Sequence, residues 1–170
     1  MNKTFADQLN FGREIEKCVS RWLMKRGESI LPVYDYSGLA EDKAPKLTNL
    51  HSSDSLVLPD LLGFRMGRGM WFEVKFKDSA NFTRITGRLE TGISKRLWDQ
   101  YWRVAAISGL PVWLIFAHKK ENEIRAGSLG MLQHKCRFYE GGKMGRCGMV
   151  FFPYDSLILL SKYSDVVIGV

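Results

Sequence analysis

The chain has 170 residues, of which 45% are hydrophobic and 12% aromatic. That is enough for one domain with a real core, and it excludes collagen-like, low-complexity and disordered chains. With 25 Lys and Arg against 18 Asp and Glu, the formal charge is +7, a surface that favours a polyanionic partner.

The N-terminal MNKTFADQLNFGREIEK has no apolar stretch of the kind that directs secretion. Cys18, Cys136 and Cys147 cannot all pair within the chain, so a reducing, cytoplasmic setting is expected. The longest apolar run, around Gly109 to Ala117, is about half of a membrane span, so a soluble protein without membrane partners is expected.

In chain order, Phe11, Ile15, Val19, Trp22 and Leu23 recur at helical spacing and predict a helix from about Phe5 to Arg26, stopped by Gly27. Ser29 to Tyr36 suits a strand, at a sheet edge because of Pro32. Residues 37 to 53 read as a polar loop. Leu56 to Phe64 and Met70 to Phe76 are strand-like and joined by Arg65-Met66-Gly67-Arg68-Gly69, which predicts a hairpin.

Lys77 to Gly92 shows no clear period and reads as a loop flanking a site. A second helix is expected over Ser94 to Ser108, with Leu97, Tyr101, Val104 and Ala105 on one face, ending at Gly109. Pro111 to Ala117 has the continuous apolar character of a strand buried on both faces. Later strands are expected at Glu123 to Ala126 and Met149 to Pro153, and short helices at Ser128 to His134 and Asp155 to Leu160. The order predicts an α/β fold with a mixed sheet flanked by helices, in a single domain over 1–170 whose core covers about 5–118, with 119–170 as its extension.

The charge is unevenly placed. Between Arg65 and Arg103 stand nine basic and four acidic residues, a net of +5, while the other 131 residues carry only +2. A merely solvated surface would spread the excess; concentration in one stretch points to nucleic acid.

That stretch also holds Glu73-Val74-Lys75 in the second hairpin strand, with Pro59-Asp60 in the first. Strand alternation puts Trp71, Glu73 and Lys75 on one face and Phe72, Val74 and Phe76 on the other, so a charged edge is expected to back onto an apolar core. The turn brings Asp60 towards Glu73. Two such carboxylates supply the hard oxygen ligands that Mg²⁺ or Mn²⁺ takes, and a lysine beside them can orient water or stabilise charge in phosphodiester hydrolysis. Glu41-Asp42-Lys43 has the same Glu-x-Lys spacing but lies in a polar loop with no placed aspartate.

Pro59-Asp60 followed thirteen residues later by Glu73-Val74-Lys75 resembles the PD-(D/E)xK nuclease superfamily. Gly12-Arg13-Glu14-Ile15-Glu16 is similar to the Gly-x-x-x-Glu with which archaeal Holliday-junction resolvases and related nucleases begin. The element order resembles the superfamily's restriction-endonuclease-like αβββαβ core over roughly residues 5 to 118.

The resemblance implies Asp60 and Glu73 as metal ligands, Lys75 as the catalytic lysine, and Glu16 as a further acidic group at the metal. Helical geometry tests the last: Glu16 lies about 80° from the apolar stripe of its helix and Glu14 about 120°. Glu16 is the better border residue, and Gly12 leaves room beside it. On the second helix Gln100 lies about 80° off the stripe, on the flank of Arg96 and Arg103. Some superfamily members use a glutamine there, which makes Gln100 a candidate for positioning water or phosphate.

The function so implied is a Mg²⁺- or Mn²⁺-dependent nuclease acting on DNA, endonucleolytic, with Lys77, Arg84, Arg88, Lys95, Arg96 and Arg103 as phosphate contacts. A structure-selective junction resolvase, which would need a homodimer, a non-catalytic binding module on the same fold, and an RNA-cutting enzyme remain alternatives. Trp71, Trp98, Tyr101 and Trp102 are candidates for base stacking, with core packing the default for Tyr101. His51 and His118 have no motif around them. His134, Cys136 and Cys147 lack a fourth zinc ligand. Glu140 to Gly145 reads as a hairpin turn rather than a nucleotide loop.

Overall fold

The structure is a computed structural model that describes residues 5–33, 46–48, 55–140 and 148–167. Helix α1 (Phe5–Lys25) buries Ile15, Cys18, Val19 and Leu23. Gly27, at φ +92°, ends it: the Gly27 and Glu28 amides donate back to the carbonyls of Met24 and Leu23. A left-handed residue at this point is tolerated best by glycine.

Strand β1 (Ser29–Pro32) follows, then β2 (Lys46–Thr48), β3 (Ser55–Val57), β4 (Leu61–Arg65) and β5 (Arg68–Lys77). β4 and β5 form the expected hairpin, with Arg65 opposite Arg68. Met66 and Gly67, at φ 50° and 74°, form its two-residue turn, the left-handed pair that matches strand twist. Next come β6 (Asn81–Thr83), β7 (Arg88–Ser94), α2 (Lys95–Ser108), β8 (Val112–His118) and β9 (Glu123–Ser128). The chain continues through α3 (Leu129–Leu132), β10 (Arg137–Tyr139), β11 (Met149–Pro153), a 3-10 turn at Tyr154–Ser156, β12 (Ile158–Lys162) and α4 (Tyr163–Val167).

The main sheet has six strands in the order β1-β4-β5-β8-β9-β12, with β1 at an edge, as Pro32 predicts. β5 and β8 are parallel and the other neighbours antiparallel, so the sheet is mixed. The parallel pair requires a crossover, which α2 supplies. Ser94 caps α2 by accepting from the Leu97 amide, and Gly109 closes it at φ 68°. A second sheet has the order β10-β11-β7-β6, and β2 pairs with β3.

Two apolar layers sandwich the main sheet. On one face, Phe72, Val74, Ile115, Ala117, Ile124 and Ala126 pack against α1 and α4. On the other, Trp71, Leu114 and Phe116 pack against Trp98, Tyr101 and Val104 of α2 and Ile93, Val150 and Phe152 of the second sheet.

Several expectations are corrected. Leu56 to Phe64 is two strands, β3 and β4, because Pro59 has no N–H to give to a ladder. The expected loop 37–53 contains β2; most of its remaining residues, with His51 and Glu41-Asp42-Lys43, lie outside the described residues. Lys77 to Gly92 is largely the β6–β7 hairpin. The short helix expected at Asp155 to Leu160 is a 3-10 turn and then an edge strand, whose register shift between Leu159 and Ser161 hides the two-residue period. β10 and β11 are an antiparallel pair, and the turn expected at Glu140 to Gly145 lies, apart from Glu140, outside the described residues.

Gly92 sits where β7 meets β11, and a Cβ there would collide with the Val150 carbonyl oxygen, a backbone atom with little freedom to move. Gly92→Ala should therefore lower the unfolding free energy by roughly 1–3 kcal/mol, the usual cost of overpacking. Urea denaturation of the two proteins measures it, and an unchanged midpoint would contradict this packing.

Candidate active site

The site is built at the middle of β5. Leu61 pairs with Phe72, so one step back along the hairpin Asp60 falls opposite Glu73. Asp60 is fixed twice: its backbone carbonyl accepts the Val33 amide at 2.9 Å, and its Oδ2 accepts the Val74 amide at 2.7 Å. Pro59, also buried, ends the ladder just before it and leaves Asp60 free to make these contacts.

Glu73 is only 1% exposed. Its Oε1 is ion-paired with Lys75 Nζ, and its Oε2 is buried with no hydrogen-bond partner among the described residues. The expected charged edge is thus buried at Glu73, beside strands over which α2 and the second sheet pack, and still open at Lys75, whose side chain is 31% exposed.

Electrostatics follow from this burial. Loss of water pushes the Asp60 carboxyl well above its ordinary value, and the Glu73 charge adds to the rise; Lys75 and the Val74 amide oppose it. Burial alone would depress Lys75, but the charges of Glu73 and Asp60 outweigh it and hold the ammonium firmly protonated. Lys77, two residues on and on the same face, has no such compensation and is lowered by burial and by Lys75.

Glu16 is half-buried on α1, and its charge acts on both Asp60 and Lys75. Glu14 is exposed and paired with Lys17 at 2.8 Å, so Glu16 is the more buried of the two, as the helical geometry expects. A Cβ at Gly12 would meet nothing within 4 Å, so the space there is open. Among the described residues, however, no three acidic, His or Cys side chains converge closely enough to share one ion. Asp60 and Glu73 are the two buried carboxyls brought together here, and Glu16 acts on them through its charge.

Gln100 is half-buried on α2, with Oε1 buried and no partner among the described residues. Trp71 Nε1 donates to Ser108 Oγ at 3.0 Å, which fixes the end of α2 at the start of β5. As the crossover into β8, α2 runs back along the sheet; Gln100 lies about 12 Å from Ser108 along the helix, and Lys75 about 13 Å from Trp71 along the strand. They stand at a similar level.

The cations are more dispersed. Arg96 and Arg103 are exposed on α2, and Lys95 beside them is paired with Asp99 at 2.6 Å. Arg84 and Arg88 are exposed on the β6–β7 hairpin, Arg88 lining a cavity of about 380 Å³ with Lys135 and Asp155. Most of the aromatic candidates serve the core: Trp71, Trp98 and Tyr101 are buried, and the half-buried Trp102 packs edge-on against Trp98 at 6.0 Å. Their helical spacing served the core.

His134 is exposed and bonded to its neighbour Gln133, Cys18 and Cys136 are free thiols, and Cys147 lies outside the described residues. No described helix is long and apolar enough to cross a membrane.

His118 carries more than its sequence context suggested. It pairs with Lys77 across β5–β8, is fully buried, and shares a hydrogen bond with Thr91 Oγ1 at 3.1 Å. Burial lowers its pKa to about 4; Glu121 and Glu123 oppose the shift, and Lys77 and Arg125 add to it. The folded state thus refuses a proton that the unfolded chain accepts near pH 6.5, so this contribution to stability is intact above pH 6.5 and is lost as pH falls towards 4. The slope approaches about 1.4 kcal/mol per pH unit. Wild type should lose more stability over this window than His118→Gln, as read by urea denaturation at each pH; parallel profiles would contradict it.

No protein-family model and no curated protein matches the chain. Among solved structures, Hjc, a Holliday junction resolvase from Archaeoglobus fulgidus, is similar over 87% of this chain and 95% of its own, at 14% identity and a TM-score of 0.53. D212, a nuclease from a fusselovirus, aligns over 99% and 94% at 14% identity, with a TM-score of only 0.46. The αβββαβ order is present as α1, β1, β4, β5, α2 and β8, with the β2–β3 and β6–β7 hairpins inserted. With the sheet order and this likeness together, the chain shares the fold of that resolvase, a central mixed sheet flanked by helices in the αβββαβ order.

Proposed function

We propose that the protein is a divalent-metal-dependent nuclease that hydrolyses DNA phosphodiester bonds endonucleolytically. The observation that carries this reading is the buried Glu73 oxygen without a partner, opposite a second buried carboxyl. Such a pair is costly to hold unless a cation joins it.

The donors fit Mg²⁺ or Mn²⁺: they are hard oxygens, and two carboxylates leave room for the waters that Mg²⁺ keeps. Asp60 and Glu73 would hold the ion, with Glu16, whose charge reaches Asp60 and Lys75, supporting the site. When bound, such an ion polarises a phosphate and lowers the pKa of its water.

The chain's own residues do the rest. Lys75, kept cationic by Glu73 and Asp60, places a positive charge where the phosphorane's negative charge develops. Gln100 offers an amide to orient water or a phosphate oxygen. Arg84, Arg88, Arg96 and Arg103 grip flanking phosphates, with Lys77 closer in. Lys95, already paired with Asp99, is the weaker contact.

The resolvase similarity favours a structure-selective enzyme as the second reading; it would act as a homodimer to cut both strands of a junction. Competition between four-way junctions and linear duplex separates the two.

With Mg²⁺ or Mn²⁺ the wild type should cleave DNA, and Glu73→Ala and Lys75→Ala should each reduce the rate by roughly a hundredfold or more. Undiminished cleavage in both would sink the mechanism. Independently, Mn²⁺ should raise the melting temperature of the wild type but not of Glu73→Ala, since an ion bound only to the folded state stabilises it. Equal shifts in the two would place the ion elsewhere.

A further inference from the structure

The β6–β7 hairpin leaves large apolar side chains in water. Phe82 is 64% exposed, Ile85 82% and Leu89 41%. Phe82 and Leu89 are direct cross-strand partners, so they form one ridge, and Ile85 stands at the tip beyond them. Clustered exposure of this kind marks a contact surface rather than idle surface.

The hairpin is preorganised. Its loop is closed by the Gly87 and Thr86 amides donating to the Thr83 carbonyl, at 2.9 and 3.2 Å, with Gly87 at φ 66°. Its base is pinned where buried Glu90 accepts from Arg137 at 2.7 Å and from Thr86 Oγ1 at 3.1 Å. A floppy loop would not build these bonds around exposed phenylalanine, isoleucine and leucine.

Its position is also defined. Asp78, Ser79 and Ala80 link it to Lys77 at the end of β5. Leu89 shares a strand face with Thr91, whose hydroxyl meets His118, and His118 is the cross-strand partner of Lys77. The ridge therefore belongs to the layer packed over the main sheet and looks toward the side that carries Glu73 and Lys75. Arg84 stands in the loop, and Arg88 lies on the opposite side of β7 from Leu89, near Lys135.

We propose that this hairpin is a recognition wing: the Phe82–Leu89 ridge, with Ile85, stacks on an unpaired or unstacked base while Arg84 in the loop holds an adjacent phosphate and Arg88 adds positive charge behind it. This rests on the nucleic-acid reading above. The two arginines select the occupant, since they repel a second copy of the same basic surface and attract a polyanion. The apolar ridge selects its state: a continuous duplex hides its base faces, and an apolar side chain gains by contact with a base that has left the stack.

Binding measured in EDTA isolates the wing from cleavage, using a labelled duplex with one bulged base against the same duplex without it. Wild type should bind the bulged duplex more tightly, and Phe82→Ala/Leu89→Ala should lose that preference by roughly tenfold. Phe82→Tyr should keep it, and Arg84→Ala should weaken both duplexes alike, with a shallower salt dependence. The proposal fails if wild type shows no preference, if the double variant retains it, or if sedimentation shows the ridge instead holding two copies together. Because no step requires catalysis, a protein that binds this way yet never cleaves would refute the nuclease reading alone.

Discussion

The constraint on which this structure turns is the burial of Glu73 in the second hairpin strand with one of its oxygens unpartnered among the described residues. Removing a carboxylate from water costs several kcal/mol even after relaxation. Lys75 offsets part of that cost on one oxygen, and the Val74 amide satisfies the neighbouring Asp60 rather than Glu73 itself. The acids are held together by backbone. β5 is paired on both sides, antiparallel to β4 and parallel to β8, and neither neighbour can slip without turning Glu73 and Lys75 to the opposite face.

The rest of the sheet supplies what such a strand needs. On its apolar face Phe72 and Val74 are packed beneath α1, which sets Glu16 at the border where its charge reaches Asp60 and Lys75. On the polar face the crossover α2 and the second sheet pack beside these residues, and burial raises Asp60 and lowers Lys77. Two lysines on one strand face thus differ in kind: Lys75 is locked in the charged form by acids, and Lys77 is left more easily deprotonated by burial. Strand alternation placed them together; the positions of the carboxylates made them different.

Much of this was legible from residue order. The α1 stripe, the Met66-Gly67 turn, the Ser94 and Gly109 ends of α2 and the double-sided burial of β8 each have a local cause, and each is where its cause puts it. Asp60 was placed beside Glu73 by the hairpin alone. The misses were elements whose stability comes from distant partners. β6 and β10 are three-residue edge strands with no period to detect, and β12 carries a register shift. The tryptophans of α2 sat near basic residues in sequence, yet their stripe faced the core, as helical spacing usually requires. Phe82 and Leu89 escaped notice because exposure is not written in a stretch read as a loop.

The basic excess between Arg65 and Arg103 takes a different meaning from this arrangement. It is one stretch of sequence that folds into the central strand, the inserted hairpin and the crossover helix, so its cations are spread over three elements rather than gathered in one patch. Phe82 follows Lys75 by only seven residues, so the ridge cannot stand further than about 23–25 Å from the lysine however the chain is extended. At about 3.4 Å per step along one strand, that span is roughly seven nucleotides. The hydrogen-bonded loop and the Glu90–Arg137 pair keep the wing from closing or widening that distance freely. A base held on the ridge would therefore fix which phosphate lies at Asp60 and Glu73, and the cut would fall a short, constant distance from the discontinuity instead of at a recognised sequence.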